Sequence, residues 1–330
     1  MRNATLIYAI LCASVCAFAQ DYSAPGEFHV TVTDRSWTDA ARQDRDVPVR
    51  MYMPKDDPAR LSIVIFSHGL GGSREGYAYF GQHMASHGYL CVHVQHHGSD
   101  GESIRASIQN GATPADALRR ATMDPQNATD RPKDVSFVLD QLAAMNKAGN
   151  DLAGRLDLDH IAIAGHSFGG FTAMACAGQG DGKLRDRRIK SAIAMSAPAP
   201  MSAPGYARIT IPVLDMTGTL DDSPMLGGTL DSRMNAFERM TKNERYRAIF
   251  TRGDHMIFSG GTETLAALHL AGMTGDRKLD PQFQAHIKAL SLAFLEHTLR
   301  QDKNAGTWLT ADDGAKAALG DMAMWTVHRP

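Results

Sequence analysis

The sequence has no excess of charge of either sign. In 330 residues, 34 lysines and arginines stand against 36 acidic residues, a formal net charge of −2. Proteins that bind nucleic acid or anionic membrane surfaces through charge carry basic patches or long like-charge runs, and none is visible here. The composition therefore gives no support for a nucleic-acid partner. With 43% hydrophobic residues, it is typical of a globular protein.

Cysteine is scarce as well. Two of the four cysteines lie in the first 20 residues, which leaves Cys91 and Cys176. Each lies in an apolar stretch, and we expect buried free thiols, because unpaired cysteine behaves as a small core hydrophobe. A disulfide stays possible in an oxidising compartment, but the spacing gives it no support.

Long hydrophobic runs are also missing, since a membrane-spanning helix needs about 20 apolar residues. The apolar run at 6–11 is short, follows Arg2 and precedes Ala17-Phe18-Ala19. This pattern is typical of a secretory signal peptide, and a buried N-terminal helix is the alternative. We expect a signal peptide at residues 1–19 and a protein exported to the periplasm or the medium, without a transmembrane segment.

Short apolar runs alternate with helical patterns over the rest of the chain. Continuous apolar runs separated by helices indicate a mostly parallel sheet with helices on both faces. Two earlier runs, 28–33 and 47–53, alternate with period two and predict an antiparallel N-terminal edge. No linker divides the chain, so we expect one domain over 20–330, with a loop insertion at about 98–129 and a C-terminal appendage at about 301–330.

The segment Gly165-His166-Ser167-Phe168-Gly169 follows one such run and precedes a helical pattern. A serine between glycines at the second position on either side, in a strand–turn–helix context, is typical of a nucleophile elbow. The turn is so tight that larger side chains at the glycine positions would collide. It also holds the serine at a helix N-terminus, where the helix dipole favours negative charge. The motif alone recurs by chance, but its context predicts that Ser167 is a catalytic nucleophile.

A second glycine-rich segment, His68-Gly69-Leu70-Gly71-Gly72, follows another buried run. Acyl transfer needs two backbone N–H donors for the oxyanion, one just after the nucleophile and one from an earlier loop. We expect Phe168 and Leu70 to supply this oxyanion hole. A phosphate cradle fits less well, because Arg74 stands where a dinucleotide fingerprint requires its third glycine. A plain glycine turn stays open.

The general base and its acidic partner are expected later in the chain, in the order serine, acid, histidine. Of the 14 histidines, only His255 both comes at the right place in this order and lies on a loop directly after a strand-like run. Another strand-like run leads into the loop that contains Asp221 and Asp222. We expect Asp221 to orient the imidazole, with Asp222 as the alternative. Asp215 and Asp254 are expected to be structural.

Three histidines, His93, His96 and His97, could suggest a metal site. They lack acidic or cysteine ligands at the usual spacing. We therefore expect structural or pocket-lining roles for them, no bound metal and no cofactor.

With these residues assembled, the segments 66–72, 85–89 and 165–170 resemble the plasma-type platelet-activating-factor acetylhydrolases. The resemblance implies the α/β-hydrolase fold and serine esterase activity. In that family the triad aspartate follows the strand after the nucleophile helix, where this chain has Ser196 and no carboxylate. An acid one strand later, at Asp221, is instead similar to cutinase-like polyester hydrolases and dienelactone-hydrolase relatives.

These patterns together predict an exported carboxylic-ester hydrolase that acts on small, lipid-type or polymer esters through Ser167, Asp221 and His255. Two alternatives stay open. One is an exported serine peptidase or amidase, which would usually need a separate propeller or cap domain. The other is a non-enzymatic binding protein on a hydrolase scaffold, which would normally have lost one member of the triad.

Overall fold

The computed structural model describes residues 20–55, 60–198, 205–222, 229–260 and 276–330. The signal peptide predicted at residues 1–19 lies outside these ranges. Within them, nine strands form one sheet in the order β1-β2-β4-β3-β5-β6-β7-β8-β9. From β1 to β9 the strands are Val30–Asp39, Arg45–Pro54, Leu61–Ser67, Tyr89–Val94, Leu156–His166, Ile189–Met195, Val213–Leu220, Arg245–Asp254 and Ala323–His328.

The six central strands, from β4 to β8 in the sheet order, run parallel to one another. Strands β1 and β2 pair antiparallel and form one edge of the sheet. This arrangement confirms the predicted mostly parallel sheet with an antiparallel N-terminal edge. The chain has the α/β-hydrolase fold. Because the carboxyl ends of parallel strands meet at one edge, loops that are distant in sequence are brought together there.

Helices cover both faces of the sheet. In the described residues they are α1 to α9: Ala78–Ser86, Gly101–Gln109, Pro114–Met123, Pro125–Met145, Phe168–Ala177, Leu230–Arg239, Asp280–Thr298, Lys303–Thr310 and Ala315–Leu319. Helices α1, α7, α8 and α9 pack on one face, and α4, α5 and α6 pack on the other. Every residue of β3 is buried, with Val64 and Phe66 in one core and Ile63 and Ile65 in the other. The continuous apolar run reflects this burial on both sides.

Two regions differ from a simple reading of the sequence. The glycine- and alanine-rich stretch 98–129 contains α2 and α3 and the first turn of α4. The last 30 residues add β9, which pairs antiparallel with β8 and makes a second antiparallel edge. Trp325 of β9 stacks on Tyr246 with ring centroids 5.8 Å apart. Within the described ranges, none of the helices has the length and apolarity that crossing a bilayer requires.

Candidate active site

The elbow lies between β5 and α5. Ser167 has φ 56° and ψ −119°, a backbone conformation that L-residues rarely adopt. A Cβ atom on Gly165 would lie 2.2 Å from the carbonyl oxygen of Gly169, and a Cβ on Gly169 would lie 1.8 Å from that of Ser67. Both positions therefore require glycine. This strained backbone holds the Ser167 hydroxyl at the carboxyl edge of the sheet. Backbone strain of this kind is common at functional sites.

Three residues predicted from sequence meet at this edge. His255, directly after β8, has its Nε2 atom 2.8 Å from Oγ of Ser167. Its Nδ1 atom lies 2.9 Å from Oδ1 of Asp221, which follows β7. All three side chains are buried or nearly so, with residue exposures of 7% for Ser167, 3% for His255 and 0% for Asp221. The imidazole thus lies between a hydroxyl and a carboxylate.

The carboxylate of Asp221 is held from several sides. Thr217 donates a hydrogen bond to Oδ2 at 2.8 Å, and Nη2 of Arg233 lies 3.4 Å from Oδ1. Burial alone would raise the pKa of Asp221, but the charges of His255 and Arg233 and the surrounding hydrogen bonds hold it well below its usual range. The carboxylate is therefore ionised at neutral pH. The neighbouring Asp222, by contrast, is exposed.

The structure gives the other two aspartates different surroundings. Asp215 is buried within β7, and burial raises its pKa to about 7. The carboxylate of Asp254 accepts a hydrogen bond from the amide of Met256 at 2.9 Å and forms an ion pair with Arg277. It therefore holds the turn that carries His255.

Ser196 is one partner of His255 that the sequence did not reveal. It directly follows β6, has a positive φ of 51°, and its Oγ lies 2.6 Å from Nδ1 of His255. This is the position at which the resemblance noted above would have required an aspartate. Its place at the end of the strand between β5 and β7 was the available signal.

A second set of contacts joins the elbow to His255. Nε2 of His166 donates to the carbonyl oxygen of His255 at 2.8 Å, so Nδ1 of His166 is left to accept from the hydroxyl of Tyr77, also at 2.8 Å. The Tyr77 oxygen accepts in turn from the amide of Gly69 at 3.2 Å. Burial holds the pKa of His166 well below its usual value, which keeps the ring neutral as these contacts require. Sequence reasoning treated His166 only as part of a motif and did not identify Tyr77.

The two predicted oxyanion donors belong to the two segments that adjoin Ser167. Phe168 opens α5, and Leu70 lies in the loop after β3, where a Cβ on Gly69 would come within 3.4 Å of Cβ of Ser167. The amides of Gly69 and Gly71 donate to Tyr77 and Ser99. Within the part of the chain that the structure describes, the amides of Leu70 and Phe168 have no hydrogen-bond partner. They are therefore available to an acceptor bound beside Ser167.

The histidines considered as metal ligands have other partners. His96 contacts Oγ of Ser67 at 2.9 Å and Asp134 at 3.0 Å. Ligand atoms of His97, Asp100 and Glu102 lie within 4.8 Å of one another. However, the Asp100 carboxylate already accepts from the Gln95 side chain and the Ser103 amide, at 2.6 and 2.9 Å. Asp100 therefore caps α2, and the expectation of no bound metal stays a prediction.

Two known protein families match different parts of this chain. The family described as platelet-activating factor acetylhydrolase, isoform II, matches residues 27–116, and the family described as PET hydrolase-like matches residues 119–282. Both families are carboxylic-ester hydrolases. The first match contains the Leu70 loop, and the second contains Ser167, Asp221 and His255.

Curated relatives agree with the first match. A platelet-activating factor acetylhydrolase of Cavia porcellus is 24% identical over 81% of this chain and 64% of its own length. The protein of the same name from Bos taurus is 26% identical over 77% of this chain and 61% of its own length. The matched region thus covers less than two thirds of either relative. In its fold and its sequence the chain resembles the α/β-hydrolase serine esterases of the acetylhydrolase and PET hydrolase-like families.

Proposed function

We propose that this protein is an exported serine hydrolase that cleaves carboxylic esters through an acyl-enzyme. The observation that supports this most directly is the pair of contacts on His255, with Ser167 at 2.8 Å on one ring nitrogen and Asp221 at 2.9 Å on the other. An imidazole held in this way can accept the serine proton while the carboxylate stabilises the resulting cation. The two matched families support an ester as the substrate.

In the first half-reaction, Oγ of Ser167 bonds to the ester carbonyl carbon while its proton passes to Nε2 of His255. The π electrons of the carbonyl move to oxygen, and the amides of Leu70 and Phe168 donate hydrogen bonds to this oxyanion. When the carbonyl re-forms, the bond to the alcohol oxygen breaks. The alcohol leaves with the proton from His255.

In the second half-reaction, water gives a proton to His255 and attacks the acyl carbon of the acyl-enzyme. The oxyanion forms again at the same two amides. Collapse breaks the bond to Oγ of Ser167, which recovers its proton from His255, and the carboxylic acid leaves. Every proton transfer uses groups of this chain, and the proposed mechanism needs no cofactor.

Export through a signal peptide at residues 1–19 is part of the proposal, as is a single hydrolase domain over 20–330. The packing of Tyr22, shortly after the expected cut, supports the boundary. Tyr22 is 2% exposed, its ring lies 4.9 Å from that of Trp308, and its carbonyl accepts from His83. Mass spectrometry of the exported protein should give Gln20 as the first residue. An N-terminus retained at Met1 would contradict this boundary.

A labelling experiment tests the nucleophile. A fluorophosphonate probe should add one label to the wild-type protein and none to Ser167→Ala, which should also lose esterase activity. Ser191→Ala is a matched control, because Ser191 is buried on β6 and its hydroxyl has no partner among the described residues. Labelling that persists in Ser167→Ala would refute the mechanism.

A substrate panel tests the class of bond. We propose that the natural substrate is a small, lipid-type or polymer ester. The panel therefore contains p-nitrophenyl esters of rising chain length, an acetylated phospholipid, a polyester film and p-nitroacetanilide as the amide matched to p-nitrophenyl acetate. Hydrolysis of esters but not of the anilide is the expected result. A faster rate on the anilide would favour a peptidase or amidase, and no turnover of any substrate by folded, unlabelled protein would favour a binding role.

A further inference from the structure

Arg131 of α4 is a cation buried next to the elbow. Its residue exposure is 0%. Its guanidinium donates to four oxygens: the carbonyl of His68, Oγ of Ser67 at 3.1 Å, Oγ of Ser99 at 2.7 Å and Oγ1 of Thr172 at 3.0 Å. These acceptors are all neutral. A fully buried arginine normally lies against a carboxylate, because an isolated buried charge is costly.

No carboxylate lies within ion-pair distance of Arg131 in the described ranges of the chain. The two nearest acids along α4 have other partners: Asp130 lies within ion-pair distance of Arg42 and Arg45, and Asp134 bonds to Arg42, Arg45 and His96. Burial lowers the pKa of Arg131 to about 9, and the charge of Asp134 opposes this shift. The guanidinium is therefore still protonated at neutral pH. Its charge is not neutralised by direct contact with an acid.

The contacts of Arg131 lead to both predicted oxyanion donors. On one side it holds the carbonyl of His68, two residues before Leu70. On the other side it holds Oγ1 of Thr172, which donates to the carbonyl of Phe168 at 2.9 Å. Its Cζ atom also lies 4.6 Å from the centre of the Phe168 ring. One side chain thus joins the loop after β3 to the first turn of α5.

We propose that Arg131 is a positioning residue for the oxyanion hole, which fixes the Leu70 and Phe168 amides relative to each other and places a positive charge next to the two segments that carry them. This inference rests on the proposed ester hydrolysis at Ser167. The positive charge favours the step in which the carbonyl π electrons move to oxygen, since oriented charge in a low-dielectric site stabilises the oxyanion. Binding of the neutral ester gains little from it.

Two substitutions separate charge from hydrogen bonding. Arg131→Lys keeps the charge but loses the forked donors, and Arg131→Gln loses the charge. Removing one direct oxyanion donor lowers kcat by about 10²- to 10³-fold. For this indirect role we expect a loss of kcat of about 10-fold in Arg131→Lys and about 100-fold in Arg131→Gln, with KM within about 2-fold of wild type.

Inhibition by an aryl trifluoromethyl ketone tests the cause of the loss. Oγ of Ser167 adds to the ketone carbon, its proton goes to His255, and the former carbonyl oxygen becomes an oxyanion. The inhibition constant should therefore rise by about the same factor as kcat/KM falls. Leu142→Val is the control for a purely structural effect, because Leu142 is buried on the same helix, in the hydrophobic core between α4 and the sheet. It should lower Tm without changing kcat or inhibition.

Thr172→Val keeps the inference testable if the Arg131 variants do not fold. It removes the link to the Phe168 carbonyl at nearly constant volume, and kcat should fall by about 3- to 10-fold with a parallel rise in the inhibition constant. A lower Tm with unchanged kcat in folded Arg131 or Thr172 variants would overturn the inference. Ser167→Ala tests the proposed function separately from the role of Arg131. If this variant kept its esterase activity, the proposed function itself would be wrong.

Discussion

The hydroxyl oxygen of Ser196 lies 2.6 Å from Nδ1 of His255, the ring nitrogen that Asp221 approaches to 2.9 Å. Nδ1 carries a single hydrogen, which can point to the carboxylate. Nδ1 then has no lone pair with which to accept, so the Ser196 hydroxyl donates to Asp221, and this bond helps to lower the pKa of that carboxyl. Ser196 therefore supports the carboxylate directly and the imidazole through it.

Ser196→Ala should lower kcat by about 10-fold and leave KM nearly unchanged, because a hydrogen bond to a charged group contributes about 1.5–3 kcal/mol. Ser191→Ala, on the strand that ends just before Ser196, should behave as wild type. The measurement is kcat and KM on one activated ester, with circular dichroism to verify the fold. Equal kcat values for the two alanine variants would show that the Ser196 hydroxyl has no part in catalysis.

Asp221→Asn should lower kcat by about 10⁴-fold while the protein stays folded, since the amide keeps the shape but favours the wrong imidazole tautomer; this magnitude is that of the serine-protease example. Asp222→Asn is the matched control, because Asp222 is the exposed neighbour. Its kcat should stay close to wild type. If Asp222→Asn is the inactive variant instead, the acid is one residue further along the loop.

Tyr77→Phe should lower kcat by about 10-fold and also lower Tm. The change leaves the buried Gly69 amide and Nδ1 of His166 without their partner, and each unsatisfied buried group costs about 1–3 kcal/mol. Tyr89→Phe is the control, since the hydroxyl of Tyr89 bonds to Glu296 at the opposite end of the parallel strands. A loss of Tm in both variants with unchanged kcat would assign Tyr77 to stability alone.

Asp215 gives a prediction for pH. Burial raises its pKa to about 7, although Arg247 and Arg233 act in the opposite direction. Between about pH 4 and pH 7 the unfolded chain has lost this proton and the folded protein has not, so raising the pH favours unfolding. Asp215→Asn removes this contribution. The Tm of the variant relative to wild type should therefore increase from pH 5 to pH 8, and a constant difference would contradict the pKa shift.

Much of the fold could be predicted because its signals are local. Residues 63–66 are apolar without interruption because both faces of β3 are covered, and this pattern can be read without knowing which helices cover them. The C-terminal strand was not predicted. Residues 323–328 alternate in burial only because they pair with β8 at the edge of the sheet.

The candidate site divides in the same way. Gly165, Ser167 and Gly169 can be recognised together because they lie within five positions of one another, although only the collision at Gly165 occurs within the turn and the one at Gly169 involves Ser67 on β3. The order of serine, acid and histidine along the chain then predicts Asp221 and His255. The predictions of these residues depend only on their spacing and order along the chain, and both can be read from the sequence.

The supporting contacts could not be read in this way. Tyr77 and His166 are 89 positions apart, and Ser196 and His255 are 59 positions apart. Arg131, within a helix, meets Ser67 across 64 positions. None of these residue types or spacings is distinctive, since tyrosine, serine and arginine occur throughout the chain. They come together because parallel strands end at one edge of the sheet, and this convergence in space has no counterpart in the linear order of the residues.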